Sequence, residues 1–229
     1  MGLSYLLLFA AMILAIYAQG KVKANFGKYS RIANSRQLTG FEAARMVLDS
    51  NGLRDVEIEP IAGSMTDHYD PRDRVLRLSE TVYAVKSISA VSVACHEAGH
   101  AIQHEVNYIP LKIRNGIVPM VNLVSKLSWP MIIIGIILLS SGSWQLGNTL
   151  FTVGIVAFFG VVIFHLITLP VEFNASSRAI DQMMEIGIVT DQEVYGAKKV
   201  LNAAALTYVA ALAVAVANLI RLLAIRGRN

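Results

Sequence analysis

Long apolar stretches alternate with polar ones along the chain, and their lengths predict membrane helices. Residues 3–19 are uncharged and just long enough to span a bilayer. Two further apolar stretches, 117–141 and 149–169, predict a transmembrane hairpin, and the loop that joins them, "GSWQLGN", carries no charge. A last apolar run, 203–225, is also long enough to cross, although it contains Arg221. The pattern is therefore typical of a multi-pass membrane protein.

The region between the first two apolar stretches has the pattern of a small folded domain. Residues 38–53, "LTGFEAARMVLDSNGL", show helical periodicity between a Thr-Gly start and a Gly stop, which predicts a helix. Residues 54–80 alternate apolar and polar positions around a Pro-Arg-Asp turn, which predicts a β-hairpin or a sheet of two or three strands. A second helix is predicted to begin near Thr81–Lys86 and to continue, with or without a break, through "SISAVSVACHEAGHAIQHEV".

Composition supports the membrane assignment and excludes two other kinds of protein. Of the 229 residues, 55% are hydrophobic and only 16% are charged, whereas about a quarter of the residues in a soluble domain are charged. The single cysteine, Cys95, excludes an internal disulfide and a cysteine-rich metal site. Basic residues flank apolar segments rather than alternating with aromatics, so no nucleic-acid partner is expected.

The distribution of positive charge predicts an orientation in the membrane. Residues 21–37 contain five basic residues and no acidic one. By the positive-inside rule they place the N-terminus outside and the following domain in the cytoplasm. Arg226 and Arg228 oppose this orientation if 203–225 crosses fully, but five charges outweigh two. We therefore expect a site that faces the cytoplasm.

The stretch "ACHEAGHAIQHE" contains three of the five histidines of the chain and a metal-binding pattern. His96, Glu97 and His100 fit H-E-x-x-H, in which two histidines four apart on a helix share one face and bind zinc. The glutamate lies about 100° round the helix from His96, close enough to hold a metal-bound water without binding the metal itself. A helix face whose histidines bond only to neighbouring side chains is the alternative.

A zinc site of this kind needs a third protein ligand, and the sequence offers two candidates. The metzincin position six residues after His100 is Val106, which excludes that class. His104 lies on the same side of the helix, but one straight helix cannot place three ligands tetrahedrally around an ion, so a structural role is favoured. Glu172 follows two predicted crossings, which return it to the same side as His96, although a helix-dipole role would also explain it.

The segments quoted above, together with "TDHYDPRDRVLRLSE" and "LPVEFNASSRA", give the chain a resemblance to known peptidases. H-E-x-x-H followed by "EFNASSRA" after a transmembrane hairpin resembles the gluzincin pattern of HtpX and CAAX-type membrane proteases. The chain is still more similar to the YugP-type neutral zinc metallopeptidases of bacterial membranes, from the first apolar stretch to about residue 210. The resemblance implies that His96, His100 and Glu172 bind Zn²⁺ and that Glu97 is the general base.

One position departs from the HtpX pattern. The aspartate expected four residues after the ligand glutamate is Ser176 in this chain. Such a carboxylate commonly orients a ligand histidine, so the way in which this chain orients its histidine is open. Further candidates are His68, Tyr69 and Arg178 as oxyanion donors, although surface or turn roles are favoured for each. Cys95 is expected to be a small buried side chain.

The predicted fold is a mainly α membrane protein, with transmembrane helices and a small α+β zincin-like domain that contains a short β-hairpin or sheet. Its predicted parts are an N-terminal transmembrane anchor (1–20), a zincin-like catalytic domain (21–115), a transmembrane hairpin (116–169), a helix with the third ligand that begins at Pro170 (170–200), and a C-terminal apolar helix associated with the membrane (201–229).

The function predicted from the sequence is zinc-dependent endopeptidase activity at the bacterial plasma membrane. The expected substrate is a polypeptide or membrane protein, the expected surroundings are a lipid bilayer, and the expected role is membrane-protein processing or turnover. Two alternatives are an intramembrane site-2-type protease and a non-enzymatic membrane scaffold or transporter with a degenerate metal site. The first would need its H-E-x-x-H within a span and a later Asp-Gly, and neither is found. The second would be expected to carry more intramembrane charge than Lys126 and Arg221.

Overall fold

The fold is that of a computed structural model in which residues 2–227 are described; Arg228, which enters the orientation argument, lies outside them. Helices account for most of these residues, and the three strands of a small sheet follow the second helix and precede the third in the chain. The elements are α1 (Gly2–Tyr29), α2 (Gly40–Ser50), β1 (Glu57–Ile61), β2 (His68–Asp70), β3 (Val75–Ser79), α3 (Ile88–Glu105), α4 (Ile109–Ser140), α5 (Trp144–Glu185) and α6 (Asp191–Arg226).

The chain divides into two compact units, and some helices contribute to both. The apolar unit contains Met1–Tyr17, Lys112–Leu169 and Tyr208–Asn229. The polar unit contains Ala18–Leu111 and Pro170–Thr207. All the predicted site residues belong to the polar unit.

Four helices of the described chain are long and apolar enough to cross a membrane: α1, α4, α5 and α6. Many of their large apolar side chains are exposed, among them Leu3, Phe9, Ile133 and Val156. Exposed apolar surface on this scale is costly in water and is expected of helices that face lipid. The prediction of a mainly α membrane protein with a small sheet is confirmed.

The sheet of the polar unit has three strands in the order β1-β3-β2. β2 and β3 pair antiparallel, as the Pro-Arg-Asp turn predicts, and β1 pairs with β3 in parallel. Leu76 and Leu78 of the central strand are fully buried. The sheet therefore packs into the core of the polar unit, and β2 forms one of its edges.

The core of the polar unit is built from apolar side chains of five helices and the sheet, including Tyr29 of α1. It includes Val47 of α2, Leu76 of β3, Val91 of α3, Met183 of α5 and Leu201 of α6. The helix predicted after Thr39 is confirmed as α2. It begins with a capping box in which the Thr39 hydroxyl accepts from the Glu42 amide and the Glu42 carboxylate accepts from the Thr39 amide.

Two predicted helix boundaries were wrong. Thr81–Lys86 is not helical, because a turn in which Tyr83 N donates to Ser79 O precedes the helix, and α3 begins after Ser87, whose hydroxyl accepts from the Ala90 amide. Pro170 does not begin a helix either, because α5 runs through it. A proline removes one helical hydrogen bond, and long apolar helices tolerate that loss when neighbouring groups pack around the site.

Candidate metal centre

α3 presents His96 and His100 on one face, because residues four apart on a helix lie one above the other. Their ring centroids are 4.9 Å apart, and the ring planes are nearly perpendicular at 82°. His100 is 7% exposed, and His96 is more open. Both rings turn their Nε2 atoms towards the same carboxylate on α5.

That carboxylate belongs to Glu172, which is 3% exposed. Its Oε2 atom lies 3.3 Å from His96 Nε2 and 3.7 Å from His100 Nε2. All three potential ligand atoms lie within 4.8 Å of one another. The structure therefore brings together the three residues that the sequence proposes as ligands.

These donor atoms fit a zinc ion. Ligand atoms about 2 Å from a tetrahedral metal lie roughly 3.3 Å from one another, close to the separations between the glutamate oxygen and the two ring nitrogens. Two imidazoles and one carboxylate form a common donor set of catalytic zinc sites, which leave the fourth position open.

Each histidine is held through its second ring nitrogen. The Nδ1 atom of His96 lies 3.2 Å from Ser176 Oγ, one helical turn beyond Glu172 on α5. The Nδ1 atom of His100 lies 3.0 Å from Gln103 Oε1. A serine hydroxyl therefore occupies the place of the missing aspartate, and a neutral amide contacts the other ring.

α3 and α5 approach each other closely between these ligands. A Cβ atom added at Gly99 would lie 2.8 Å from the carbonyl oxygen of Ala175 and 3.4 Å from its Cα. Gly99 lies beside His100 in sequence, and Ala175 lies between Glu172 and Ser176. Only glycine at position 99 allows the two backbones to come this near, so the third ligand comes within reach of the first two.

Glu97, which the sequence proposes as the general base, lies directly after His96 on α3. Burial raises the pKa of its carboxyl group to about 7, and the charge of Glu172 adds to the increase while His96 opposes it. A carboxyl group with this pKa can both accept and release a proton near neutral pH. The site therefore contains an acid–base group beside the three potential ligands.

The other candidates lie outside the ligand cluster. His104 Nδ1 lies 3.0 Å from the Tyr69 hydroxyl, a contact that ties α3 to β2. His68 Nδ1 contacts Thr66 O at 2.8 Å, and Arg178 Nε donates to Asn174 Oδ1 at 2.8 Å. Cys95 is fully buried, and burial raises the pKa of its thiol, which disfavours a nucleophilic role.

Sequence reasoning missed Gln103, Asn174 and Gly99. Gln103 lies three residues after His100, a spacing that places the two side chains on neighbouring parts of the helix surface. That spacing was a usable signal, as was the small pair Ala98-Gly99 within the motif. Asn174 had no such signal, because its contact with Gln103 depends on how α3 packs against α5.

Comparisons with known proteins show which family the chain is similar to. A family model described as "Putative neutral zinc metallopeptidase" matches residues 4–227. The chain is 51% identical over 212 residues to "Putative membrane protease YugP" of Bacillus subtilis (strain 168), an alignment that covers 93% of this chain and 91% of that protein. No solved structure matches the chain.

The helix contact generates a first prediction. Gly99→Ala places a methyl group against the Ala175 backbone, so α3 and α5 must separate. We expect a loss of about 1–3 kcal/mol in the free energy of unfolding, together with weaker zinc binding. Thermal unfolding in detergent and metal titration measure the two effects.

Gly27→Ala in α1 is the matched control for this change. A Cβ atom at Gly27 meets nothing within 4 Å, so the same substitution adds no contact there. An unfolding temperature and zinc affinity for Gly99→Ala equal to those of the control would contradict the close-packing argument.

Proposed function

The chain belongs to the family described as "Putative neutral zinc metallopeptidase", and we propose that it is a membrane-anchored zinc endopeptidase. One observation carries the proposal: His96 and His100 of α3 and Glu172 of α5 point their donor atoms at one place. The relative from Bacillus subtilis, described as "Putative membrane protease YugP", supports the same activity. His96, His100 and Glu172 would hold the metal.

The reaction that this site supports is hydrolysis of a peptide bond by water. Zinc, when bound, supplies Lewis-acid chemistry that acidifies a water molecule and polarises a carbonyl group. Glu97 accepts the proton of the attacking water and later delivers it to the leaving amine. Its place next to His96 on α3 and its raised pKa suit both transfers.

Substrate binding is proposed to use the edge of the sheet. β2 pairs with β3 on one side only, and Tyr69 of β2 contacts His104 of α3. The strand therefore lies beside the motif helix. An extended polypeptide can add to such an edge through backbone hydrogen bonds, which select for an unfolded segment and not for a particular side chain.

The site is proposed to face the cytoplasm and to act on membrane proteins. α3, which contains the motif, is not among the four candidate spans of the described chain. This observation favours a site outside the bilayer over the intramembrane site-2-type alternative. The five basic residues in 21–37 support a cytoplasmic polar unit, which would process or degrade proteins of the same membrane.

Substitution of the proposed general base tests the mechanism. Glu97→Gln keeps the shape of the side chain but cannot accept a proton, so we expect peptide cleavage to fall by at least about 100-fold while zinc remains bound. Cleavage of a fluorogenic peptide mixture and metal analysis of the purified protein measure the two quantities.

Glu105→Gln is the control for that experiment, since it makes the same chemical change at the exposed end of α3. Its activity is expected to be close to that of the unchanged protein. Full activity in Glu97→Gln would exclude Glu97 as the base, and absence of zinc from the unchanged protein would reject the peptidase proposal itself.

Thiol labelling in intact cells tests the orientation. Cys95 is fully buried, so the reagent should label it little. One exposed cysteine at a time can therefore be added to the full-length chain and its labelling followed. With a membrane-impermeant reagent, Ser143→Cys in the α4–α5 loop should be labelled in intact cells. Arg54→Cys in the polar unit should be labelled only after permeabilisation. The reverse pattern would place the site outside.

A further inference from the structure

Gln103 is a fully buried polar side chain near the candidate centre, and the proposed mechanism does not use it. It is 0% exposed and lies one helical turn beyond His100 on α3. Its Oε1 atom lies 3.0 Å from His100 Nδ1. Its Nε2 atom donates to Val171 O at 2.8 Å and to Asn174 Oδ1 at 3.0 Å. One side chain thus joins a proposed ligand on α3 to the turn of α5 that contains Glu172.

The chemistry of these partners fixes which way the glutamine amide points. A backbone carbonyl such as Val171 O can only accept hydrogen bonds. Arg178 can only donate, and its Nε atom donates to the same Asn174 Oδ1 atom, so that atom is the carbonyl oxygen of the asparagine. Both neighbours of Gln103 on α5 are therefore acceptors. The NH₂ group of Gln103 must face them, and its oxygen must face His100.

The orientation of the amide then determines the tautomer of the histidine. Gln103 Oε1 has no proton to give, so His100 Nδ1 must carry the proton and donate it. In a neutral imidazole the other nitrogen, Nε2, then has a free electron pair. That nitrogen is the one 3.7 Å from Glu172 Oε2. In this tautomer the ring presents the electron pair that a metal ion needs.

We propose that Gln103 is a positioning residue that fixes the Nδ1–H tautomer of His100 and holds His100 in register with Glu172. Arg178 and Gln103 both donate to Asn174 Oδ1, and His100 Nδ1 donates to Gln103 Oε1, so each of these groups has a single allowed role. Because Gln103 also bonds to the carbonyl of Val171, directly before Glu172, it orients ligands of two helices at once. This inference rests on the proposed zinc function, but the tautomer is a property of the metal-free protein.

The first test measures the tautomer directly. In the zinc-free, full-length protein in detergent, labelled with ¹⁵N at histidine, long-range proton–nitrogen correlation spectra distinguish Nδ1–H from Nε2–H rings. His100 is expected as the Nδ1–H form at a pH where the ring is neutral. A predominant Nε2–H form would overturn the proposal, whether or not the protein cleaves peptides.

The second test removes the amide. Gln103→Met keeps a similar volume but neither accepts from His100 nor donates to α5, so the tautomer should become mixed. Zinc affinity, measured by competition with a chromophoric chelator, should weaken by about 10- to 100-fold. Asn174→Ala leaves the bond to Val171 O in place and should cause a smaller loss.

Ser92→Ala is the control on the same helix. Ser92 is also 0% exposed and bonds only one turn back, through a hydroxyl that donates to Ile88 O, and no proposed ligand is involved. Its zinc affinity and tautomer should match those of the unchanged protein. Zinc affinity in Gln103→Met within twofold of this control would overturn the proposal.

If Gln103→Met does not fold, the tautomer seen in the spectrum of the unchanged protein still tests the proposal. Failure of the unchanged protein to bind zinc would count against the peptidase function and leave the tautomer result valid.

Discussion

The contact between Gly99 and the backbone of Ala175 is the constraint on which the candidate site depends. A catalytic zinc site needs three protein ligands in tetrahedral geometry, and one helix supplies only two of them here. The third ligand must therefore come from another element. α5 supplies it only because no side chain at position 99 separates the two helices. The hydrogen bonds of Ser176 to His96 and of Gln103 to Val171 cross the same interface and reach across it only at this spacing. The glycine of the motif is thus as necessary to the geometry as its histidines.

The candidate site was more predictable from the sequence than the boundaries of the elements around it. The spacing of His96 and His100 needs only helical periodicity, and the return of the chain after two apolar stretches was enough to select Glu172 as a candidate. Local rules misplaced a helix start at Pro170, because they weigh one proline more heavily than the long apolar run on its N-terminal side. They also extended a helix into Thr81–Lys86, where the Ser87 cap and the preceding turn determine the start.

The partners of the histidines could not be predicted in the same way. Gln103 looks in sequence like any polar residue near the end of a helix, and its burial is a consequence of how α3 lies on α5. Ser176 was identified as the replacement for an aspartate, but its distance from His96 depends on that same packing. What holds a ligand in place is set by the register between helices, which no local pattern of residues encodes.

Ser176 and Gln103 are neutral, and this limits the negative charge of the site when no metal ion is bound. A carboxylate behind each ring would add negative charge to a buried pocket that already contains Glu97 and Glu172, and such charge is costly without a cation to balance it. A hydroxyl and an amide orient the rings without that cost. Under the zinc function proposed above, the polar unit can therefore fold before a metal ion binds, because neutral groups and not further carboxylates orient the two histidines.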